Sequence, residues 1–268
     1  MELNILSIKN EEKGKVKLPE QFKETVREDV IRRVVLVLQA NQRQQYGATV
    51  HAGLRASAEV SRRRRDYRGS YGKGISRVPR KVLTRRGTQF FWVGASAPGT
   101  VSGRRAHPPK ALKDWSRKVN KKENRKAIRS ALAATISKEI VEKRGHSIPK
   151  NFPFVIETKI EEVKTSKTAS AILNAVGLTE DMARGSKKKV RSGKGKNRGR
   201  KYKKSKGPLL VVSGDCALMK SAKNLAGVDI TEINALNAEL LAPGAQPGRL
   251  TIFTEKALEE MQKNKMFM

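Results

Sequence analysis

Leu209-Leu210-Val211-Val212 is an unbroken apolar run, preceded by Gly207-Pro208 and closed by Ser213-Gly214-Asp215. A strand with one wet face alternates apolar and polar residues. A strand that is apolar throughout is buried on both faces, as in a parallel sheet covered by helices. The run therefore predicts an inner strand of an α/β domain. Four other segments suit the same sheet: Leu3 to Ile8, Phe154-Val155-Ile156 after Pro153, Val228 to Ile230, and Leu250 to Phe253. Helical patterns lie between them. From Asp29 to Ala40, the apolar residues Val30, Val34, Val37 and Leu38 recur at helical spacing. Asn120 reads as the N-cap of one long helix running to Lys143, with Gly145 as its stop. Its apolar face is Ala127, Ile128, Ala131, Leu132, Thr135, Ile136 and Ile140. Thr168 to Val176 reads as a helix ended by Gly177, and Thr254 as the N-cap of a last helix, Glu255 to Lys263. The alternation predicts an α/β fold: a three-layer α/β/α globular domain with a mostly parallel sheet, one domain over residues 1–268.

Two basic segments interrupt that pattern. The chain has 268 residues, 58 Lys and Arg, 25 Asp and Glu, and a net charge of +33. Residues 41–110 hold 16 Lys and Arg against 2 acids, and residues 184–206 hold 13 against none. The first segment shows little helical period, so it predicts a long extended basic loop. It carries Arg62-Arg63-Arg64-Arg65, the glycine-rich Arg68 to Gly74, and clusters around Arg80, Arg86 and Arg105. The second, a Gly/Lys-rich basic insertion, has Val190 and Tyr202 as its only aliphatic and aromatic residues. That is too little apolar surface to offset the entropy of ordering, so it is expected to lack structure of its own. Charge of this size, clustered in this way, calls for a polyanionic partner, with nucleic acid first. No stretch approaches the ~20 apolar residues of a membrane span. The first residues lack the pattern of a secretory signal. The single cysteine, Cys216, excludes an internal disulfide and a multi-cysteine metal site, and predicts a reducing, intracellular setting.

Catalytic chemistry is thinly represented. His51, His107 and His146 stand far apart without metal-ligand spacing. The acids lie mainly on predicted helices, as exposed partners for Lys and Arg. The Gly-Lys pair at Gly72-Lys73 is followed by glycine, not Ser or Thr, so it is no phosphate-binding P-loop. Cys216 after Ser213-Gly214-Asp215 could imitate a nucleophile, but reads better as a small buried thiol at a helix start. Neither a cofactor nor a metal is expected. In the basic segments, Arg offers a planar fork to phosphate oxygens, Lys a point charge, and glycine lets backbone N–H groups approach. Tyr46, Tyr67, Tyr71, Phe90, Phe91 and Trp92 are interleaved with the first segment, where they can stack on unpaired bases.

Five stretches together resemble the large-subunit ribosomal protein four family in its archaeal and eukaryotic form. They are SYGKGISRVPR (Ser70 to Arg80), GRRAHPPK (Gly103 to Lys110), RKAIRSALAAT (Arg125 to Thr135), RSGKGKNRGRKYK (Arg191 to Lys203) and NAELLAPGAQPGRLTIFTEKAL (Asn237 to Leu258). The Gly-Lys-rich insertion sets that branch apart from the bacterial form. KVLTRRGTQFFWVG, from Lys81 to Gly94, is unlike the glycine- and histidine-rich stretch of eukaryotic members at the loop tip, and the resemblance as a whole is to the archaeal type.

The resemblance implies a structural constituent of the large ribosomal subunit, in the cytoplasm, with no catalysis of its own. Its implied partners are large-subunit ribosomal RNA, neighbouring large-subunit proteins and, near the loop tip, the nascent polypeptide. The rRNA-binding residues expected in the first segment are Arg62, Arg63, Arg64, Arg65, Arg68, Lys73, Arg77, Arg80, Lys81, Arg85, Arg86, Arg104, Arg105 and Lys110. In the second they are Lys187, Lys188, Lys189, Arg191, Lys194, Lys196, Arg198, Arg200 and Lys201. The family's loop tip lines the wall of the polypeptide exit tunnel. Here that points to Arg77, Arg80, Arg85, Arg86, Phe90, Phe91 and Trp92, and the absence of charge from Gln89 to Gly103 agrees with such a surface. Two other readings fit the charge: a free-standing RNA chaperone or messenger-binding repressor, and a nucleotide-dependent RNA-modifying enzyme using the loop after Val212.

Overall fold

The computed structural model describes residues 2–268, and in it Leu209–Val212 is a strand buried along its whole length. The elements follow in order as β1 (Glu2–Leu6), β2 (Glu12–Lys17), α1 (Glu28–Asn41), β3 (Arg80–Arg86), β4 (Gln89–Gly94), α2 (Lys121–Ile136) and α3 (Lys138–Lys143). Then come β5 (Phe154–Ile156), α4 (Ser166–Ala175), α5 (Thr179–Ser186), β6 (Lys188–Val190), β7 (Tyr202–Lys204) and β8 (Leu209–Val212). The chain closes with α6 (Ala217–Ala222), β9 (Asp229–Glu232), α7 (Ala238–Leu241), β10 (Thr251–Thr254) and α8 (Glu255–Lys263). It divides into two units: Arg43–Trp115, and the remainder up to Gln42 together with Ser116–Met268.

In the larger unit a six-stranded sheet runs β2-β1-β5-β10-β8-β9. Every pairing is parallel except β1 with β2. Alternate side chains of the apolar strands enter opposite layers, because successive residues of a strand point to opposite faces. Leu209, Val211, Val155 and Phe253 pack with Ile31 and Val34 of α1, Ala131 and Leu132 of α2, Leu241 of α7, and Leu258 and Met261 of α8. Leu210, Val212, Phe154, Ile156 and Ile252 pack on the other side with Val141 of α3, Ile172 and Leu173 of α4, and Leu218 of α6. Two apolar layers on one sheet make the α/β/α arrangement.

Several boundaries differ from expectation. The first strand ends at Leu6, not Ile8, because the Ser7 hydroxyl accepts from the backbone N–H of Lys9 and Glu11 and turns the chain. That turn leads into β2, which the sequence pattern did not suggest, since Glu12–Lys17 has one apolar residue. A charged edge strand of this kind resists pairing with other chains. The long helix expected from Asn120 to Lys143 is two helices, broken at Ser137, whose backbone is extended (φ −72°, ψ 112°). The break has a packing reason. Ala131 and Leu132 belong to one layer and Val141 to the other, so one straight helix cannot serve both. Thr254 caps α8 as expected, accepting from the Ala257 N–H.

The unit Arg43–Trp115 is not wholly extended. Its β3 and β4 form an antiparallel hairpin, pairing Arg80 with Gly94 and Arg86 with Gln89 across a bulge between Val82 and Thr84. The turn is Gly87-Thr88, with Gly87 at φ 56°, the glycine-first pattern of tight hairpins. The second basic segment likewise forms a hairpin of β6 and β7.

Candidate nucleic-acid interface

The unit Arg43–Trp115 has 17 Lys and Arg against three acids, Glu59, Asp66 and Asp114. Internal pairing cannot neutralise it. Arg62, Arg63, Arg64, Arg65, Arg68, Lys73, Arg77, Arg85, Arg86, Arg104, Arg105 and Lys110 are all exposed, while Arg80 and Lys81 are half-buried. Arg68 lies 4.0 Å from Glu59 with both side chains in water, and such a pair contributes little.

The hairpin sorts the aromatics onto two faces. Phe90 and Trp92 stack on one another (5.1 Å, 20°), and Tyr67 meets Phe90 edge-on at 5.0 Å. Cations cover the same stack. Lys73 Nζ lies 5.2 Å from the Phe90 ring and 5.4 Å from Trp92, and the Arg80 guanidinium lies 5.5 Å from Trp92. Arg85 approaches the Tyr67 ring and donates to its hydroxyl oxygen. The contacts of Lys73 and Arg85 hold these side chains while leaving N–H donors for phosphate, whereas Arg80 already donates to the Ser76 and Val78 carbonyls and the Ser76 hydroxyl. The opposite face carries Leu83, Phe91 and Val93, which are 68%, 53% and 46% exposed. The three aromatics expected at the tip thus divide: Phe90 and Trp92 are engaged within the unit, and Phe91 is open.

In the second segment, β6 and β7 place Lys188 opposite Lys204 and Lys189 opposite Lys203. Like charges directly opposed destabilise a ladder. Three contacts offset this and explain why the insertion has structure at all. The Arg191 N–H donates to the Lys201 carbonyl (2.7 Å). At the root, Arg184 donates to the Lys206 carbonyl (2.6 Å) and buried Arg249 to the Gly207 carbonyl (3.0 Å). Lys187, Lys188, Lys189, Lys194, Lys196, Arg198, Arg200 and Lys201 are exposed, and Arg191 is half-buried. Lys203 and Lys204, outside the predicted set, complete the cationic ladder. Arg43 and Lys113 are a second omission; they flank Tyr46 and Trp115, and the Lys-Asp-Trp-Ser-Arg run was the available signal.

The root itself is a buried polar cluster, contrary to the expectation that acids would be exposed. Asp181 is fully buried and is 3.0 Å from His146 Nδ1 and 2.8 Å from Arg184 Nε. Burial would raise its pKa, but hydrogen bonds from His146 and Arg184 prevail and hold it below the usual carboxylate range. Burial lowers His146, outweighing the Asp181 carboxylate. Asp229 accepts from both Lys206 and Arg249.

The enzymatic alternative loses its chemistry at the cleft beyond the C-terminal ends of β8 and β10. Buried Glu161 accepts from the Ser213 N–H (3.0 Å), the Ser213 hydroxyl (2.7 Å) and the Thr254 hydroxyl (2.6 Å). It is occupied in joining two strands. Cys216 is half-buried at the N-cap of α6, less sealed than expected. Burial raises its thiol pKa, and the Glu161 and Asp215 carboxylates raise it further, the reverse of an activated nucleophile. Among the described residues no cluster of His, Cys, Asp or Glu could hold a metal, and no helix is long and apolar enough to cross a membrane.

The profile of the ribosomal protein L4/L1 family matches residues 16–264. The chain is similar to a protein of Nanoarchaeum equitans named large ribosomal subunit protein uL4, at 47% identity over all of both chains. Proteins of the same name from Methanosphaera stadtmanae and Archaeoglobus fulgidus are each 43% identical, over 98% and 97% of both chains.

Proposed function

The chain belongs to the ribosomal protein L4/L1 family, and from that premise we propose that it holds large-subunit rRNA through its two basic hairpin segments. Family membership makes it a structural constituent of the large ribosomal subunit, a component of the cytoplasmic ribosome, and not an enzyme. It associates there with ribosomal RNA and other ribosomal proteins. The observation that carries the finer reading is the distribution of charge. Seventeen cations and three acids share one unit, which leaves fourteen positive charges in excess, and six of the cations (Arg43, Lys73, Arg77, Arg80, Arg85 and Lys113) lie over aromatic rings. Such a surface binds phosphate by releasing condensed counterions. The proposed contacts are the exposed Arg and Lys of Arg62–Lys110 and Lys187–Lys201. The β3–β4 hairpin is the proposed tunnel-wall element, with Phe91 toward unpaired bases, a neighbouring protein loop or the nascent chain.

Sucrose-gradient fractionation of a native lysate tests the assignment. The chain should co-sediment with large subunits at one copy each and stay bound through a moderate salt wash. A pool that remains mainly in the light fractions would instead indicate a free-standing RNA chaperone or repressor.

A further inference from the structure

Within the unit Arg43–Trp115, a cleft of about 600 Å³ is lined by Tyr46, Arg105, Pro108, Lys110, Lys113 and Trp115 among others. We propose that this cleft is a pocket for one unpaired RNA nucleotide, its base stacked on Tyr46 and its phosphate met by Lys110 and Lys113. The proposal rests on the reading of the chain as an RNA-binding protein and names a particular site for it.

Four observations support it. The size suits a small ligand, since such sites span about 300–1,000 Å³. The rings of Tyr46 and Trp115 are nearly parallel, 12° apart with centroids at 5.8 Å. Tyr46 remains half exposed, so a planar base can extend the stack by one plate. The cations are already gathered at these rings. The Arg43 guanidinium is 3.8 Å from the Trp115 ring and Lys113 Nζ is 4.4 Å from it. Finally, Trp115 Nε1–H is buried and finds no acceptor among the described residues. Indole N–H can only donate, and a buried donor is rarely left unmatched. An acceptor atom of the base, a ring nitrogen or a carbonyl oxygen, is what this group lacks. An acidic peptide would satisfy the cations but would not use the parallel rings. The backbone bond from Ala48 N–H to the Pro109 carbonyl (2.9 Å) ties together the two chain segments that bear the pocket.

The test uses the full chain carrying Trp92→Phe, so that Trp115 is the only indole. The probes are a single-stranded oligoadenylate, a duplex RNA of equal length, and inorganic polyphosphate. Single-stranded RNA should quench Trp115 emission, and polyphosphate at equal charge should not. Tyr46→Leu should weaken single-strand binding about tenfold, with the salt slope and duplex binding unchanged. Tyr46→Phe should bind as the parent does. The pocket is refuted if Tyr46→Leu binds single strands like the parent, or if polyphosphate quenches Trp115 equally. An unsubstituted chain that binds neither RNA refutes the underlying reading along with it. Retained duplex binding by Tyr46→Leu separates loss of the pocket from loss of fold.

Discussion

Arg249 is the largest side chain sealed within the globular unit. Its guanidinium donates to the carbonyls of Gly207 and Leu240 and pairs with Asp229. Burial lowers its pKa, with the Asp229 hydrogen bond acting against that shift. Arg249→Met removes the charge and leaves two carbonyls without their donor, so it should cost about 3 kcal/mol of unfolding free energy. Chemical denaturation of the full chain measures it. A loss within experimental error of zero would mean the carbonyls find water. Beside it, a Cβ on Gly207 would lie 1.8 Å from the Gly227 carbonyl oxygen, so only glycine fits where the insertion rejoins the sheet. His146 adds a pH dependence. Its folded pKa lies below the ordinary 6.5, so the unfolded chain takes up the proton first. Its contribution is therefore complete above that value and declines as pH falls through it. The melting temperature should drop from about pH 7.5 to about pH 5.5, and His146→Gln should flatten the drop. An equal slope in both proteins would assign the effect elsewhere. None of this was legible in the sequence. Arg249 sits in Pro247-Gly248-Arg249-Leu250 and looks like any surface arginine. Its burial is decided by carbonyls about ten and forty residues away.

At the scale of elements, the apolar strands were legible because burial on both faces leaves an uninterrupted apolar run. The helices were legible where one stripe is apolar. Edges and hairpins were not. β2, β6 and β7 are made mostly of charged residues, so their pairing rests on backbone bonds that leave no apolar period. The β3–β4 hairpin did leave a trace, in the glycine-first turn between Arg86 and Gln89. That hairpin carries the tunnel proposal. Replacing Leu83–Phe91 with Asn-Gly keeps the pairs Arg80–Gly94, Lys81–Val93 and Val82–Trp92 and removes the outer half. Large subunits should still assemble, while sensitivity to tunnel-binding antibiotics or the passage of nascent chains changes. Blocked assembly would make the hairpin an RNA-folding element first. No change in either would place it away from the tunnel.

For the whole molecule, charge and core are segregated along the chain. The two apolar layers lie on one six-stranded sheet, built from segments with ordinary composition. The excess charge sits in Arg43–Trp115 and in the insertion held between Arg184 and Gly207. This division lets one part fold by hydrophobic burial while the other, under the proposed function, is completed by phosphate. The segregation was legible from charge counts alone. Which cations lie over rings and which stand free was not, because it depends on hairpin register. Under the proposed function the basic segments, not the helical faces, hold the rRNA. Ultraviolet cross-linking of purified large subunits, followed by mapping of the RNA-linked peptides, tests it directly. Linked peptides should come mainly from Arg43–Trp115 and Lys187–Lys204. Linked peptides confined to α1, α2 and α8, with both basic segments unlinked, would contradict it.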